Sequence, residues 1–165
     1  MHYLIDGHNL VGRLPDIGLD DPDDESKLVL RLRSWAAGSR KRRVTVVFDR
    51  GLPGGLDRGL STGKVKVVFA STGRSADSVL IKRIKSIENP REYTLVTSDR
   101  YILREAGTRR MPVLKAEEFA AKLAQEKEKN IGNSSEVHDS SAEADRQLSD
   151  AEVEMWLDLF DAQDE

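Results

Sequence analysis

The chain has 165 residues, 33% of them charged, and a formal net charge of −3 at pH 7, a size that suits one globular domain with an appendage. It contains no cysteine, which excludes disulfide bonds and thiolate metal sites, and no apolar run approaches the roughly 18 residues needed to cross a bilayer. Because the N-terminus also lacks a charged region followed by a cleavable apolar segment, we expect a soluble, cytoplasmic protein without membrane contact.

Apolar residues in the first 129 positions alternate between strand-like and helix-like spacing. Short runs rich in Val, Ile or Tyr predict strands over 2–6, 44–49, 65–69, 93–97 and 112–114. Helical spacing predicts helices over 26–37, 76–88, 99–106 and 116–128, with Gly38, Asn89-Pro90 and Gly107 as stop signals. This order predicts an α/β fold in which helices flank a mostly parallel central sheet.

Two segments depart from this alternation. Residues 51–64 contain five glycines and few apolar residues, so we expect a mobile loop at the functional edge of the sheet. Residues 130–148 are rich in Ser, Asn and acidic residues, which predicts a linker between a domain of residues 1–129 and a C-terminal helix over 149–161. That helix starts with capping-box spacing from Ser149 to Glu152.

The apolar face of the C-terminal helix needs a surface to cover it. It consists of Val153, Trp156, Leu157 and Phe160. An exposed stripe of this kind promotes aggregation. We therefore expect it to dock on the chain's own body, on a second copy of the chain or on a partner protein.

The net charge of −3 is the sum of two unlike parts. Residues 1–129 hold 25 Lys and Arg against 18 Asp and Glu, whereas residues 130–165 hold 1 against 11. A basic excess attracts polyanions, so it predicts nucleic acid as a partner, with a merely solvated surface as the alternative. The candidate RNA-binding residues are Arg40, Lys41, Arg42, Arg43, Lys64, Lys66, Lys82, Arg83, Arg100 and Arg104.

Four carboxylates lie at or just beyond the ends of predicted strands. They are Asp6, Asp49, Asp77 and Asp99. In an open α/β sheet, residues at the carboxyl ends of the strands meet in one cleft, although any single Asp there also makes a good helix cap. A cluster of Asp without Cys suits Mg²⁺ or Mn²⁺, which would activate water and stabilise charge on a phosphodiester.

Four short motifs resemble the NYN domain, in particular its YacP-like branch of PIN-like nucleases. They are Asp6-Gly7-His8-Asn9, Val46-Val47-Phe48-Asp49, Ser75-Ala76-Asp77 and Val96-Thr97-Ser98-Asp99-Arg100. The resemblance covers about residues 1–125. It implies a PIN-like three-layer fold and metal-dependent endonucleolytic cleavage of single-stranded RNA. It also implies that Asp6, Asp77 and Asp99 are the catalytic metal ligands and that Asn9, Asp49 and Ser98 support them.

Other interpretations make different demands on the same residues. A phosphate loop ending at Gly63-Lys64 would need another glycine spacing and a Ser or Thr in place of Val65. A phosphatase of the haloacid dehalogenase type would need a second acid two residues after Asp6, where His8 stands. The main alternative is a PIN-like module that binds RNA or the ribosome without cleaving. Ser78 supports it, because relatives often have a second acid there.

Overall fold

A computed structural model describes residues 1–49 and 55–135 of the chain. Met1–Lys129 form one compact unit, and Asn130–Glu165 form a second. The predicted C-terminal helix over 149–161 and most of the predicted linker lie outside the described residues. Among the described helices, none combines the length and the apolar character that crossing a membrane requires.

Six strands form a single sheet in the order β3-β4-β2-β1-β5-β6. All neighbouring pairs are parallel except β3 and β4, which are antiparallel. Val, Ile and Leu dominate the central strands, whose side chains are mostly buried, as expected when both faces are covered. The strands are β1 His2–Asp6, β2 Arg43–Phe48, β3 Gly55–Asp57, β4 Val65–Phe69, β5 Tyr93–Val96 and β6 Val113–Leu114.

Helices cover both faces of the sheet. The helices are α1 Gly7–Val11, α2 Asp24–Ala37, α3 Ala76–Ser86, α4 Arg100–Thr108 and α5 Ala116–Ser135. On one face, α1, α2 and α5 bury a core that includes Leu10, Trp35 and Phe119. On the other face, α3 and α4 bury Leu80 and Ile102 against the strands. The predicted α/β fold with three layers and a mostly parallel sheet is confirmed.

The structure corrects the predicted elements in four places. Strand β3 lies inside the segment predicted as a loop over 51–64, and it pairs with β4 as an antiparallel edge strand. Helix α1 was not predicted, because five residues are too few for a helical pattern. Helix α4 continues through Gly107 to Thr108, and α5 extends to Ser135. A glycine lowers helix stability but does not by itself end a helix.

The topology creates a crevice at the carboxyl end of β1. From β1 the chain crosses to β2 on one side, and it reaches β5 on the other side only after β4. Ligands of open α/β sheets bind where neighbouring connections diverge in this way. Asp6 is the last residue of β1 and therefore lies at this point.

Candidate active site

Asp6 is a buried carboxylate between two elements. It caps α1, and its side chain accepts hydrogen bonds from the Asn9 backbone N–H (3.4 Å) and the Thr97 hydroxyl (3.0 Å). Only 6% of the residue is exposed. Burial raises the pKa of Asp6 to about 6, the two hydrogen bonds oppose that rise, and the negative charges of Asp77 and Asp49 add to it. Asp6 therefore lies in a site where several carboxylates repel one another.

Asp99 is joined to Asp6 through Thr97. The Thr97 hydroxyl, which donates to Asp6, also accepts the Asp99 backbone N–H at 3.1 Å. Asp99 caps α4, and its Oδ1 accepts the N–H groups of Tyr101 (2.8 Å) and Ile102 (3.1 Å). Thr97 is fully buried. One hydroxyl group thus fixes the relative positions of two of the predicted metal ligands.

Asp77 lies in the first turn of α3, where the helix dipole favours a negative charge. Partial burial raises the pKa of Asp77, and the charges of Asp99 and Asp49 raise it further. Asp49 is oriented toward the same turn, since its Oδ1 accepts the Ala76 backbone N–H at 2.6 Å. The four predicted carboxylates therefore influence one another electrostatically across one edge of the sheet.

Asn9 and Ser98 link the elements around this edge. The Asn9 side-chain oxygen accepts the Ser98 backbone N–H at 2.8 Å, which ties α1 to the end of β5. The Ser98 hydroxyl donates to Glu117 and accepts the Ala116 backbone N–H at 3.1 Å, at the start of α5. Both side chains hold backbone segments in place.

His8 lies at the centre of a group that the sequence did not predict. Its Nε2 is 3.4 Å from a Glu25 oxygen and 3.9 Å from an Asp24 oxygen, while its Nδ1 accepts the Asp49 backbone N–H at 3.4 Å. The ligand atoms of His8, Asp24 and Glu25 all lie within 4.8 Å of one another. Within residues 1–49 and 55–135, no other trio of His, Asp or Glu is so close. Asp6, Asp77 and Asp99 are spaced more widely.

Three side chains that lie near the site were not identified from the sequence. Asp24 and Glu25 begin α2, just before the helix predicted over 26–37, and nothing in the sequence places α2 beside His8. Thr97 lies within the fourth motif, but a threonine beside Ser98 and Asp99 carries no distinct signal. Their positions depend on tertiary packing.

The predicted RNA-binding residues divide into two groups. Arg42 pairs with Glu126 and lies 4.3 Å above the Trp35 ring centroid, and the Lys64 ammonium donates to the backbone oxygens of Ala36 (3.3 Å) and Ser39 (3.2 Å). These two cations make contacts that stabilise the end of α2. The others include Lys82, Arg83 and Arg100, which are exposed.

Comparison with known proteins identifies the family. Residues 3–161 match the model of the YacP-like NYN domain. The chain belongs to this family. Its NYN domain is similar to the YacP protein of Bacillus subtilis (strain 168), with 26% identity over 89 residues, 52% of this chain and 52% of that protein. The aligned part thus spans about half the length of that relative.

Solved structures support the fold. The NYN domain is similar to the crystal structure of a variant of Rae1 (YacP) from Bacillus subtilis, with a TM-score of 0.67, 18% identity and 87% of each chain covered. A second Rae1 (YacP) structure from the same organism gives a TM-score of 0.62 at 17% identity, covering 98% of this chain and 91% of the other. The NYN domain is PIN-like, so the chain belongs to a family of nuclease type.

Proposed function

We propose that this chain is a divalent-metal-dependent endoribonuclease that cleaves single-stranded RNA. In this proposal Asp6, Asp77 and Asp99 hold the metal ion and are the catalytic residues. The observation that carries the proposal is the electrostatic coupling of the carboxylates at the carboxyl edge of the sheet, where Asp6 has a pKa of about 6. Crowded carboxylates destabilise a fold unless a cation offsets their repulsion.

The donor atoms suit Mg²⁺ or Mn²⁺. All are carboxylate oxygens, which hard divalent cations prefer, and the chain has no cysteine thiolate. The ligand atoms of Asp6, Asp77 and Asp99 do not all lie within 4.8 Å of one another, so an ion held by them would keep several of its waters. A bound divalent ion supplies Lewis-acid activation of water and charge stabilisation at phosphate.

The protein's own groups orient this site. Thr97 fixes the Asp6 carboxylate, the α4 N-terminus fixes Asp99, and the α3 N-terminus holds Asp77 beside solvent. Asn9 and Ser98 keep α1, β5 and α5 in register, and Asp49 supports the first turn of α3. In this proposal Asn9, Asp49 and Ser98 are positioning residues. His8 connects Asp49 with Glu25 at the border of the cleft.

The proposed substrate is RNA, and the ribosome or another RNA-decay protein is a proposed partner that presents it. The segment 130–165 is strongly acidic, so it would compete with RNA for basic residues of the first 129.

The predicted apolar face from Val153 to Phe160 would dock on the chain's own body, on a second copy or on a partner. Truncation after residue 129 separates these cases. Unchanged stability, solution size and RNA affinity would leave only the partner.

Incubation with single-stranded RNA tests the proposal. The purified protein should cut an end-labelled RNA internally in the presence of Mn²⁺ or Mg²⁺. Chelation by EDTA should stop the cleavage, and excess metal should restore it. Metal-dependent binding without cleavage would favour the alternative of an inactive RNA-binding module.

A further inference from the structure

A basic groove follows α3 away from the carboxylates. Its cavity has a volume of about 940 Å³, and Val68 and Phe69 of β4 contribute to its wall. On the α3 side it is lined by the N-cap residue Ser75 and by Ser78, Val79, Lys82, Arg83 and Ser86. These positions are spaced by three or four residues, so they form one face of the helix. Asp77 lies outside this set, although it belongs to the first turn of the same helix.

The charge of the groove has one sign. Its cationic side chains are Arg74, Lys82 and Arg83, and no Asp or Glu is among its described lining residues. Within residues 1–49 and 55–135, none of the three makes an ion pair, whereas Arg31, Arg42 and Lys85 do. Cations without a protein partner along one groove attract an anionic ligand. The serine hydroxyls add hydrogen-bonding groups for phosphate oxygens.

A second cavity continues the groove toward the amino ends of β1 and β5. This cavity has a volume of about 490 Å³ and shares Arg83 and Ser86 with the first. Lys66 adds another cation to its lining, which also includes Glu88 and Glu92, and the rings of His2 and Tyr93 stack at a centroid distance of 4.7 Å. Since α3 has 11 residues, the two cavities together extend beyond about 16 Å. A groove of this length can contact more than one phosphate of an RNA strand.

The electrostatics of His2 agree with this picture. Burial lowers the pKa of His2, and the charges of Lys66, the N-terminus, Arg43 and Arg83 lower it further. Several cations therefore act on one point at the far end of the groove. An uncharged His2 ring stacked on Tyr93 also offers a flat surface on which a base can stack.

We propose that this α3 groove binds the RNA strand on one side of the scissile phosphate. Arg74, at the N-terminal end of α3, would contact the phosphates nearest the carboxylates. Lys82 and Arg83 would contact those further along the strand, and Lys66 and the His2–Tyr93 pair would receive its far end. The proposal builds on the proposed function, because the carboxylate edge is taken as the place of cleavage. It assigns a role to Arg74, which the sequence did not indicate.

Binding measurements test the groove without relying on cleavage. In an Asp77→Asn background, affinity for a fluorescent single-stranded RNA is measured over a range of salt concentrations. The pair Lys82→Ala and Arg83→Ala removes two groove charges, and both residues are exposed, so the fold should persist. We expect at least roughly tenfold weaker binding and a salt slope lower by about 1.4, from about 0.7 per phosphate contact.

The matched control removes two charges from the other face of the sheet. Lys122 and Lys127 are exposed on α5, and the pair Lys122→Ala and Lys127→Ala should leave both affinity and salt slope nearly unchanged. Equal losses of RNA affinity for the two pairs of substitutions would overturn the groove proposal and indicate a general effect of charge. Absence of RNA binding by the parent protein at low salt would overturn it as well.

A small substrate separates the groove from the chemistry. In the otherwise unaltered protein and with Mn²⁺, the substitutions Lys82→Ala and Arg83→Ala should slow the cleavage of RNA by a larger factor than the hydrolysis of bis(p-nitrophenyl) phosphate, and equal factors would overturn the groove proposal. This diester is too short to occupy the groove. If the parent protein binds RNA through the groove but hydrolyses neither substrate, the nuclease proposal fails and the groove stands.

Discussion

The Thr97 hydroxyl donates a hydrogen bond to the Asp6 carboxylate at 3.0 Å, and both residues are buried. The same oxygen accepts the Asp99 backbone N–H at 3.1 Å. A single side chain therefore lowers the cost of keeping Asp6 ionised and connects the ends of β1 and β5. Removing the Thr97 hydroxyl should change the pKa of Asp6, a proposed metal ligand, while every carboxylate of the site stays in place.

Thr97→Val keeps the shape of the side chain and removes its hydroxyl. The pKa of Asp6 should rise above its value of about 6, since a hydrogen bond that favours the charged form is lost. Losing the hydrogen bonds to the buried Asp6 carboxylate and to the part-buried Asp99 N–H should lower the free energy of unfolding by roughly 1–3 kcal/mol. NMR titration of the Asp6 carboxyl and thermal unfolding measure these effects. Thr97→Ser keeps the hydroxyl and should stay close to the parent protein in both.

The raised pKa of Asp6 makes stability dependent on pH. The folded pKa of about 6 lies above the ordinary value of 3.8, so the unfavourable contribution is absent below about pH 4 and complete above about pH 6. Without metal, Asp6→Asn should therefore stabilise the protein at pH 7.5 by up to about 3 kcal/mol. Denaturant unfolding at several pH values should show this gain shrinking as the pH falls from 6 to 4. A gain that is constant with pH would contradict the assignment.

Mn²⁺ should reverse the order of stability of the parent protein and the Asp6→Asn variant. Binding to the folded state alone stabilises it, and an ionised Asp6 is needed for that binding. The parent protein should gain more thermal stability from Mn²⁺ than Asp6→Asn does, and the difference should grow as the pH rises through 6. Equal gains at every pH would show that Asp6 does not contribute to metal binding.

Gly7 allows the chain to leave β1 close to β2. A Cβ atom there would overlap the Phe48 ring and lie 2.9 Å from the Val47 carbonyl oxygen. Gly7→Ala should lower the free energy of unfolding by at least roughly 1–3 kcal/mol. Gly107→Ala is the matched control, because Gly107 is inside α4 and a Cβ there has no atom within 4 Å. It should raise stability by about 0.5–1 kcal/mol in the same denaturation assay.

Arg42 should matter for stability more than for RNA affinity. It pairs with Glu126, donates to the Trp35 backbone oxygen at 2.8 Å and stacks on the Trp35 ring. Arg42→Ala should cost about 1–2 kcal/mol of unfolding free energy, as the sum of a partly exposed ion pair and a cation–π contact. Glu126→Gln, which removes the partner without removing a basic charge, should reproduce part of this loss. An RNA affinity that falls more for Arg42→Ala than for Lys82→Ala would contradict the division of the basic residues.

The sequence predicts those features of the fold and the site that depend on the local pattern of residues. Five parallel strands and four helices follow from apolar spacing, and the position of Asp6 follows from its place at the end of β1. Tertiary proximity has no local signal, so the closeness of His8 to Glu25 and the bridge through Thr97 could not be predicted. The groove along α3 was hidden for the same reason. Lys82 and Arg83 resemble any exposed helical cations until β4 is placed beside them.

The cleavage rate of Asp77→Asn tests the central claim most directly. This substitution keeps the size of the side chain and removes a charge that lies at the proposed metal site. With single-stranded RNA and Mn²⁺, the rate should fall by at least roughly 100-fold, while thermal stability without metal stays equal or rises. Asp20→Asn, a change at an exposed carboxylate outside the site, should cleave at the parent rate. Equal cleavage by the parent protein and Asp77→Asn would contradict the account.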